Sequence, residues 1–409
     1  MRRTPAKPTL AKAHILRDVR LSGWDEKIAG RWHYRDLLAD EAWRAGWISF
    51  DTLCWNPDEQ QLYCGLNSLD GDLLYRFDPV QETFTSLATK RWTDAFDAKI
   101  HRTLLRNPED HCLYFATSLL HDVDQQRDAP GGKLVRYDPW TDEFEVLGIP
   151  VPMLYVQSIA ADFARGKLYG FTYPAEAFFM FDLETRESEI LAYTGNSLFF
   201  SQPHNSVVDG DGWVWGTYAE TRAWDETLSA VPIRLFKFHP EGKRFVWFDH
   251  GLPRKSDAGQ LLRDPEKPKA RSTLAETRHK DDYGFVDSML YDGARYLYVG
   301  TVAGVLARID TKTDAVEKLA NVMATGRFPA LAMRDGVMYG AGGMRGQTQV
   351  VRWRVGEGKL EGFFNLRDET SREVPAHIHE MAVDEAHTLY LAENDNPKRS
   401  SYLWTLRLP

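Results

Sequence analysis

The chain has 409 residues, 43% of them hydrophobic and 12% aromatic, which excludes an intrinsically disordered chain and is enough for a large core. A formal net charge of −9 repels phosphate backbones and anionic lipid headgroups, so we expect no nucleic acid and no membrane partner. Three cysteines and the lack of a signal-like apolar run predict a cytoplasmic protein without a disulfide framework, although one Cys54–Cys64 bridge is left open.

The N-terminal segment 1–46 precedes the first repeat and contains one candidate strand, Ala13–Leu21. The last repeat stops at Pro409, directly after its third strand, so its sheet lacks an outer strand. Because an unpaired strand edge is unfavourable, we predict that the N-terminal segment supplies the missing strand and closes the ring.

Two sequence markers recur along the chain. A third strand with an apolar pair followed by an acidic or turn residue occurs at 74–79, 134–139, 179–182, 235–240, 306–310, 350–353 and 402–406. An aromatic residue of the second strand precedes each copy: Tyr63, Tyr114, Tyr169, Trp215, Tyr298, Tyr339 and Tyr390. The spacing of roughly 40–55 residues is typical of four-stranded propeller blades. The sequence therefore predicts an all-β fold, a single seven-bladed β-propeller domain spanning 1–409, with 252–282 as an insertion loop between blades four and five.

The innermost strand of each propeller blade runs along the central axis, so aligned positions of these strands face the channel. The aligned column is Asp51, Arg102, Gln157, Asn205, Asp287, Pro329 and His379. Flanking positions at the strand starts add His101, His204 and His377. Loops at the same mouth, together with Tyr283 before the fifth inner strand, add His121, Arg222, Trp224, Arg345 and Arg399. We predict a functional site at this mouth; the alternative is that these polar groups only hydrate the channel.

The residue types indicate the chemistry. His377 and His379 stand at i and i+2, a spacing that puts both on one face of a strand, and with His204 they are candidate metal ligands. The planar guanidinium group of an arginine can bind a carboxylate through two parallel hydrogen bonds, and the Trp224 ring can stack on a sugar ring.

Elimination from a uronic acid needs a cation on its carboxylate and a base beneath its C5 proton. The sequence offers no hydrolase triad motif, phosphate loop or zincin helix, so we favour a lyase that cleaves a uronate-containing oligo- or polysaccharide. The predicted catalytic residues are His101, His204, Tyr283 and Arg222. The predicted substrate-binding residues are Arg102, His121, Gln157, Trp224, Arg345 and Arg399.

The His377-x-His379 pair, with His204, resembles the metal site of propeller-fold sugar lyases of the oligogalacturonate lyase family. That resemblance implies a cytoplasmic seven-bladed enzyme whose manganese ion is held by histidines and a glutamine. Segment 203–215 is similar to the repeat of streptogramin lyases, which eliminate with magnesium. A divalent metal is therefore the expected cofactor, with manganese, calcium and magnesium as candidates. A non-catalytic binding propeller and a propeller lactonase or hydrolase are the alternatives.

Overall fold

The computed structural model describes residues 11–21, 33–195, 201, 205–219, 233–257 and 285–408. Within these ranges the α-helices are α1 (Tyr34–Ala39) and α2 (Glu41–Gly46). Short 3-10 helices span Thr89–Arg91, Val123–Gln125, Phe163–Arg165, Glu241–Lys243 and Val355–Glu357. No helix in the described ranges is long and apolar enough to cross a membrane.

The remaining regular structure is β-strand. The first half contains β1 (Ala11–His14), β2 (Ile48–Asn56), β3 (Gln61–Ser68), β4 (Leu74–Asp78), β5 (Thr83–Ser86), β6 (Asp97–Lys99), β7 (Leu105–Arg106), β8 (Leu113–Ala116), β9 (Ser118–Leu119), β10 (Leu134–Asp138), β11 (Glu143–Gly148), β12 (Tyr155–Asp162), β13 (Lys167–Tyr173), β14 (Glu176–Asp182) and β15 (Ser188–Gly195). The second half contains β16 (Val207–Val208), β17 (Val214–Ala219), β18 (Ile233–His239), β19 (Arg244–Trp247), β20 (Val286–Tyr291), β21 (Tyr296–Thr301), β22 (Val305–Asp310), β23 (Val316–Asn321), β24 (Arg327–Arg334), β25 (Val337–Met344), β26 (Gln347–Arg354), β27 (Lys359–Asn365), β28 (His377–Val383), β29 (Thr388–Asn394) and β30 (Leu403–Arg407).

The described strands form seven sheets. The first is β5-β4-β3-β6-β9, with β2 also paired to β3. The other six are β7-β8-β10-β11, β12-β13-β14-β15, β16-β17-β18-β19, β20-β21-β22-β23, β24-β25-β26-β27 and β28-β29-β30-β1. The fold is an all-β seven-bladed β-propeller, as predicted. The N-terminal strand β1 closes the last blade by pairing with β30, from Ala11↔Leu406 to His14↔Leu403. It covers Ala11–His14 and so begins two residues before the predicted strand.

Two compact units divide the chain. The first comprises Met1–Ile100, Leu120–Gln126 and Ala330–Pro409, and the second comprises His101–Leu119 and Arg127–Pro329. Each unit has its own apolar clusters: Leu389, Leu391, Trp404 and Leu406 belong to one in the first unit. Phe171, Phe178, Phe236 and Phe238 belong to one in the second. The single domain and the bounds of its closing segment stay predictions.

The recurring second-strand aromatics are all buried, which explains why the chain repeats them. Their rings fill apolar clusters while several polar tips donate to an acidic residue in the preceding turn. These pairs are Tyr63 with Glu59 at 2.6 Å, Tyr114 with Asp110 at 2.8 Å, Trp215 with Asp209 at 2.8 Å and Tyr390 with Asp384 at 3.1 Å. Each such aromatic therefore ties the core of its blade to the turn that starts its strand.

The cysteines do not form the bridge that the sequence left open, because neither Cys54 nor Cys64 is disulfide-bonded. In the pairing of β2 with β3, Cys54 lies opposite Tyr63, and Cys64 lies opposite Leu53. Neighbouring residues of a strand point to opposite faces of the sheet, so the two sulfur atoms lie on different faces.

The closing strand also makes stability depend on pH. His14 Nε2 lies 2.9 Å from Thr405 Oγ1, and its ring packs against Phe77 at 4.8 Å. Burial lowers the pKa of His14 from 6.5 to about 4, although nearby Glu82 acts in the opposite direction. The unfolded chain therefore binds a proton at a higher pH than the folded chain, so this contribution is complete above pH 6.5 and is lost as pH falls toward 4.

We expect the folded state to lose on the order of 2 kcal/mol between pH 7 and pH 4.5 through His14 alone. Denaturant unfolding of His14→Asn at both pH values should show a correspondingly smaller loss than the wild type. Ile15→Ala, which changes an exposed neighbour of His14 that has no titratable group, should keep the wild-type pH dependence. Equal losses in His14→Asn and the wild type would contradict the prediction.

Candidate functional site

The predicted channel column coincides with a recurring irregularity in the innermost strands. In four blades the register between the first and second strands shifts by one residue at this position, which is a β-bulge. The extra residues are Asp51 in β2, Gln157 in β12, Asp287 in β20 and His379 in β28. A bulge releases one residue from the ladder and re-aims its side chain, so these blades present a polar group at equivalent points.

Asp287 is the centre of an ionic cluster in the second unit. Arg327 donates from Nε to Asp287 Oδ2 at 2.7 Å and from Nη2 to Oδ1, a two-pronged contact. Arg102 Nη2 lies 3.6 Å from Asp287 Oδ1, and Arg102 Nη1 donates to the Asp287 carbonyl. Asn205 Nδ2 donates to the same carbonyl at 3.1 Å. We call Arg102, Asn205, Asp287 and Arg327 the Asp287 cluster.

Arg102 is the part of this cluster that the sequence assigned differently. It was predicted to bind substrate, but its side chain is 0% exposed and also donates to the Pro329 carbonyl at 3.1 Å. Its backbone has φ of 41°, a left-handed conformation that costs energy in a residue with a Cβ atom. Arg102 therefore holds the cluster together, and its predicted contact with substrate stays a prediction.

Arg327 is a functional candidate that sequence reasoning missed. Its side chain is 41% exposed whereas Asp287 is 0% exposed, so a solute can reach the arginine but not the aspartate. It stands two residues before Pro329, the aligned column position, on the same face of an extended strand. That i−2 relation was the signal that could have found it.

His101 is held in a defined tautomer beside this cluster. Its Nδ1 donates to the Gln157 carbonyl at 2.7 Å. Because a carbonyl oxygen only accepts, Nδ1 carries the proton, and Nε2 of the neutral ring carries the lone pair. The half-buried imidazole is thus oriented as a base at Nε2, and it is the chain neighbour of Arg102.

His379 has a similar arrangement in the first unit. Its Nδ1 donates to the Asp51 carbonyl at 2.8 Å and lies 3.8 Å from Asp51 Oδ1. The Asp51 carboxylate also accepts from Asn394. His379 is the extra residue of a bulge, so the regular alternation that would put it on one face with His377 is interrupted. Regular alternation therefore no longer supports a shared face for the two predicted ligands, whose role stays a prediction.

The described residues contain no complete site for the implied metal, and its predicted ligand His204 lies outside them, so the metal stays a prediction. Among the described residues there is no group of three or more His, Cys, Asp or Glu side chains that could hold one ion. The position of the family's glutamine ligand is occupied here by Val374, which has no donor atom. We therefore derive no step through a metal.

The other predicted mouth residues have diverse surroundings. His121 Nδ1 donates to the Asp122 carbonyl at 2.8 Å, and Gln157 is buried. Arg345 is exposed in the turn between β25 and β26. Arg399 is 1% exposed and donates to Glu393 Oε2 at 2.9 Å, and its predicted role in substrate binding stays a prediction.

Four predicted site residues, His204, Arg222, Trp224 and Tyr283, lie outside the described residues, as does most of the predicted insertion 252–282. Of the others, His101, Arg102 and Gln157 belong to the second unit. His121, Arg345, His377, His379 and Arg399 belong to the first. The convergence of all of them on one mouth stays a prediction.

No family model matches the sequence, and no curated protein matches it either. Solved structures do match in fold. The WD40 β-propeller domain of Doa1 is 9% identical with a TM-score of 0.55, over 98% of both chains. The extracellular domain of a protein described as a hybrid two-component system from B. thetaiotaomicron is 14% identical with a TM-score of 0.55, over 89% of this chain.

The chain spans only 38% of the length of that extracellular domain. At such low identity these likenesses establish the fold and no activity, because propellers serve many functions. The chain is thus a seven-bladed β-propeller protein with a polar cluster around Asp287.

Proposed function

We propose that the chain is a carbon–oxygen lyase that cleaves a uronate-containing oligo- or polysaccharide by β-elimination. In this reaction a base removes the C5 proton, the electron pair forms the C4–C5 double bond, and the 4-linked oxygen leaves with a proton. The substrate carboxylate must be neutralised, because negative charge accumulates on it as C5 loses its proton. The partner is accordingly an acidic carbohydrate.

The single observation that carries the proposal is the hydrogen bond from His101 Nδ1 to the Gln157 carbonyl. It directs Nε2 as the basic atom and sets the ring orientation, which are the two requirements of a general base. Imidazole is also the side chain whose ordinary pKa lies nearest to neutral pH, where a base of this kind is most effective.

The Asp287 cluster supplies the positive charge. Its two guanidinium groups surround one carboxylate, which leaves a net charge of one positive unit among these residues. Arg327 is the exposed member, and its planar fork is suited to a carboxylate. Asp287 binds the Nε–Nη2 edge of that guanidinium and holds it in place, so we assign its other edge to the substrate carboxylate and Asp287 to positioning.

The proposal keeps the remaining sequence assignments. His204 and Tyr283 are candidates for the acid that protonates the leaving oxygen, and Arg222 is a second candidate for the carboxylate. Trp224 is assigned to stacking on a sugar ring, and His121, Gln157 and Arg345 to further contacts with the saccharide.

The test follows the ultraviolet absorbance of the new double bond with oligogalacturonate and glucuronate-containing polymers as substrates. We expect His101→Ala to lower kcat by about 100-fold, the usual cost of a lost general base. Arg327→Lys should instead raise KM, because a point charge replaces a fork.

His111→Asn is the matched control, since His111 is a histidine of the same unit at a turn with φ of 61°, which asparagine tolerates. It should keep wild-type activity, and circular dichroism should show an unchanged fold for all variants. Full activity of His101→Ala would exclude His101 as the base. A wild type that binds these polymers without forming a double bond would instead support a binding propeller.

A further inference from the structure

A groove of about 570 Å³ lies on the second unit, between the outer parts of its fourth and fifth blades. Its apolar floor is formed by Ile233, Leu252 and Val316. Arg234, His250 and Arg254 line its polar side. We call it the flank groove. Its volume falls within the range typical of small-ligand sites, and no residue of the Asp287 cluster lines it.

The floor of the flank groove depends on a glycine. A Cβ atom on Gly251 would lie only 1.8 Å from the Ile233 carbonyl oxygen, so no other residue lets the chain approach β18 this closely. The Leu235 amide also donates to the His250 carbonyl at 3.0 Å, which secures the same approach. The segment that carries His250 and Leu252 is therefore seated directly on blade four.

The opposite wall is secured by blade five. Lys318 Nζ donates to the carbonyls of Arg254 at 2.9 Å, Lys255 at 2.9 Å and Asp257 at 2.8 Å. Asn321 Nδ2 donates to the Lys255 carbonyl at 3.1 Å. The Lys318 ammonium group thus donates to three carbonyl oxygens and holds the turn at Arg254 in place. The flank groove is preformed, as binding sites for small ligands usually are.

The charges define the ligand class. Two arginines and a histidine line the groove together with the apolar floor, and among the described residues its lining contains a single acidic residue, Asp257. Arg234 also donates from Nη1 to the Asp249 carbonyl. The Asp257 carboxylate accepts from the Arg254 amide at 2.6 Å, so it serves the turn. Guanidinium groups bind carboxylates and sulfate esters through paired hydrogen bonds, and an apolar floor suits the less polar face of a pyranose ring.

We infer that the flank groove is a second binding site for an acidic saccharide. It binds one charged sugar residue at a place separate from the site of cleavage. Arg234 and Arg254 bind the oxyanion of that residue, and Ile233, Leu252 and Val316 contact its ring. This inference rests on the proposed function for the identity of the sugar. The shared chemistry is an oxyanion on a pyranose ring, carried as a carboxylate or as a sulfate ester.

The experiment is calorimetric titration in the His101→Ala background, which prevents turnover. The probes are trigalacturonate, a sulfated neutral trisaccharide and unsulfated maltotriose. We expect the charged probes to bind and maltotriose to bind at least about tenfold more weakly, since maltotriose has no oxyanion to accept charge-assisted hydrogen bonds from the two arginines. Tighter binding of trigalacturonate identifies a uronate, and tighter binding of the sulfated probe identifies a sulfate ester.

Adding Arg234→Ala or Arg254→Ala should weaken the binding of the charged probe by about tenfold or more. Adding Arg295→Ala, an exposed arginine of the same unit that is paired with Asp310, removes the same charge outside the groove and should change nothing. Unchanged affinity in both groove variants, or equal binding of all three probes, would overturn the inference.

The two proposals fail separately. If the wild type forms no double bond but the groove variants lose affinity for the charged probe, the inference of a binding site in the flank groove is supported and the lyase proposal is refuted. If the wild type cleaves the polymer and the groove variants bind and cleave it equally well, the lyase proposal is supported and the inference of a binding site in the flank groove is refuted.

Discussion

Replacing Glu393 by alanine is expected to lower the free energy of unfolding by about 3–5 kcal/mol, as breaking a buried ion pair usually does. Glu393 is 0% exposed and its partner Arg399 is 1% exposed. Its carboxylate accepts from the Ala376 and Tyr402 amides, the Asn396 amide group, the Arg399 guanidinium and the Trp404 indole. The substitution leaves a charged guanidinium buried without this partner, together with several donors that lose their acceptor.

Denaturant unfolding of Glu393→Ala, Arg399→Met and the double variant measures this effect. The double variant should be more stable than the sum of the single effects predicts, because the second change removes the stranded charge. Glu189→Ala breaks the exposed pair with Lys243 and should cost less than about 1 kcal/mol. Additive effects at Glu393 and Arg399 would show that the pair is not coupled.

Deleting residues 1–21 is expected to abolish soluble, folded protein. The deletion removes β1, which pairs with β30 over four residue pairs and whose Ala11 is buried in the core cluster with Trp404 and Leu406. It also removes the Ala13 amide that donates to Asp368 at 2.8 Å. The exposed β30 edge would then be open to pairing with another chain, which favours aggregation.

The measurement is the soluble fraction after expression, followed by thermal unfolding of any soluble protein. Deleting residues 1–10 retains β1 and serves as the control, with wild-type solubility expected. Solubility and a melting temperature equal to wild type after deletion of 1–21 would show that closure by β1 does not stabilise the fold.

The number of blades could be read from the sequence because its signals are local. An aromatic in the second strand and an acidic residue in the turn before it lie within a few residues of each other, as Tyr63 and Glu59 do. Strand alternation and turn chemistry repeat with each blade regardless of what lies next to it. The missing outer strand of the last blade likewise followed from counting strands.

The candidate site was only partly accessible to the same reasoning. Alignment found Asp287 and His101, but not the bulge that re-aims Asp287, since a one-residue register shift depends on the partner strand. Gly300, whose Cβ would lie 2.3 Å from the Phe328 carbonyl, marks the crowded backbone beside that bulge and was the available hint. The i, i+2 argument for His377 and His379 is no longer supported by regular alternation, because of a bulge of the same kind.

By itself the sequence determined the all-β class, the seven blades and the closing strand, because these follow from short-range periodicity and turn residues that each blade carries within itself. Only the tertiary structure decided which charged side chains are buried and which are accessible. Nothing in the sequence distinguishes Arg399 from Arg327 in burial. In the structure Arg399 is buried and paired with Glu393, whereas Arg327 is paired with Asp287 and remains exposed to solvent. The reason is that burial and ion pairing depend on residues brought together by packing, and Asp287 and Arg327 are separated by 40 positions along the chain.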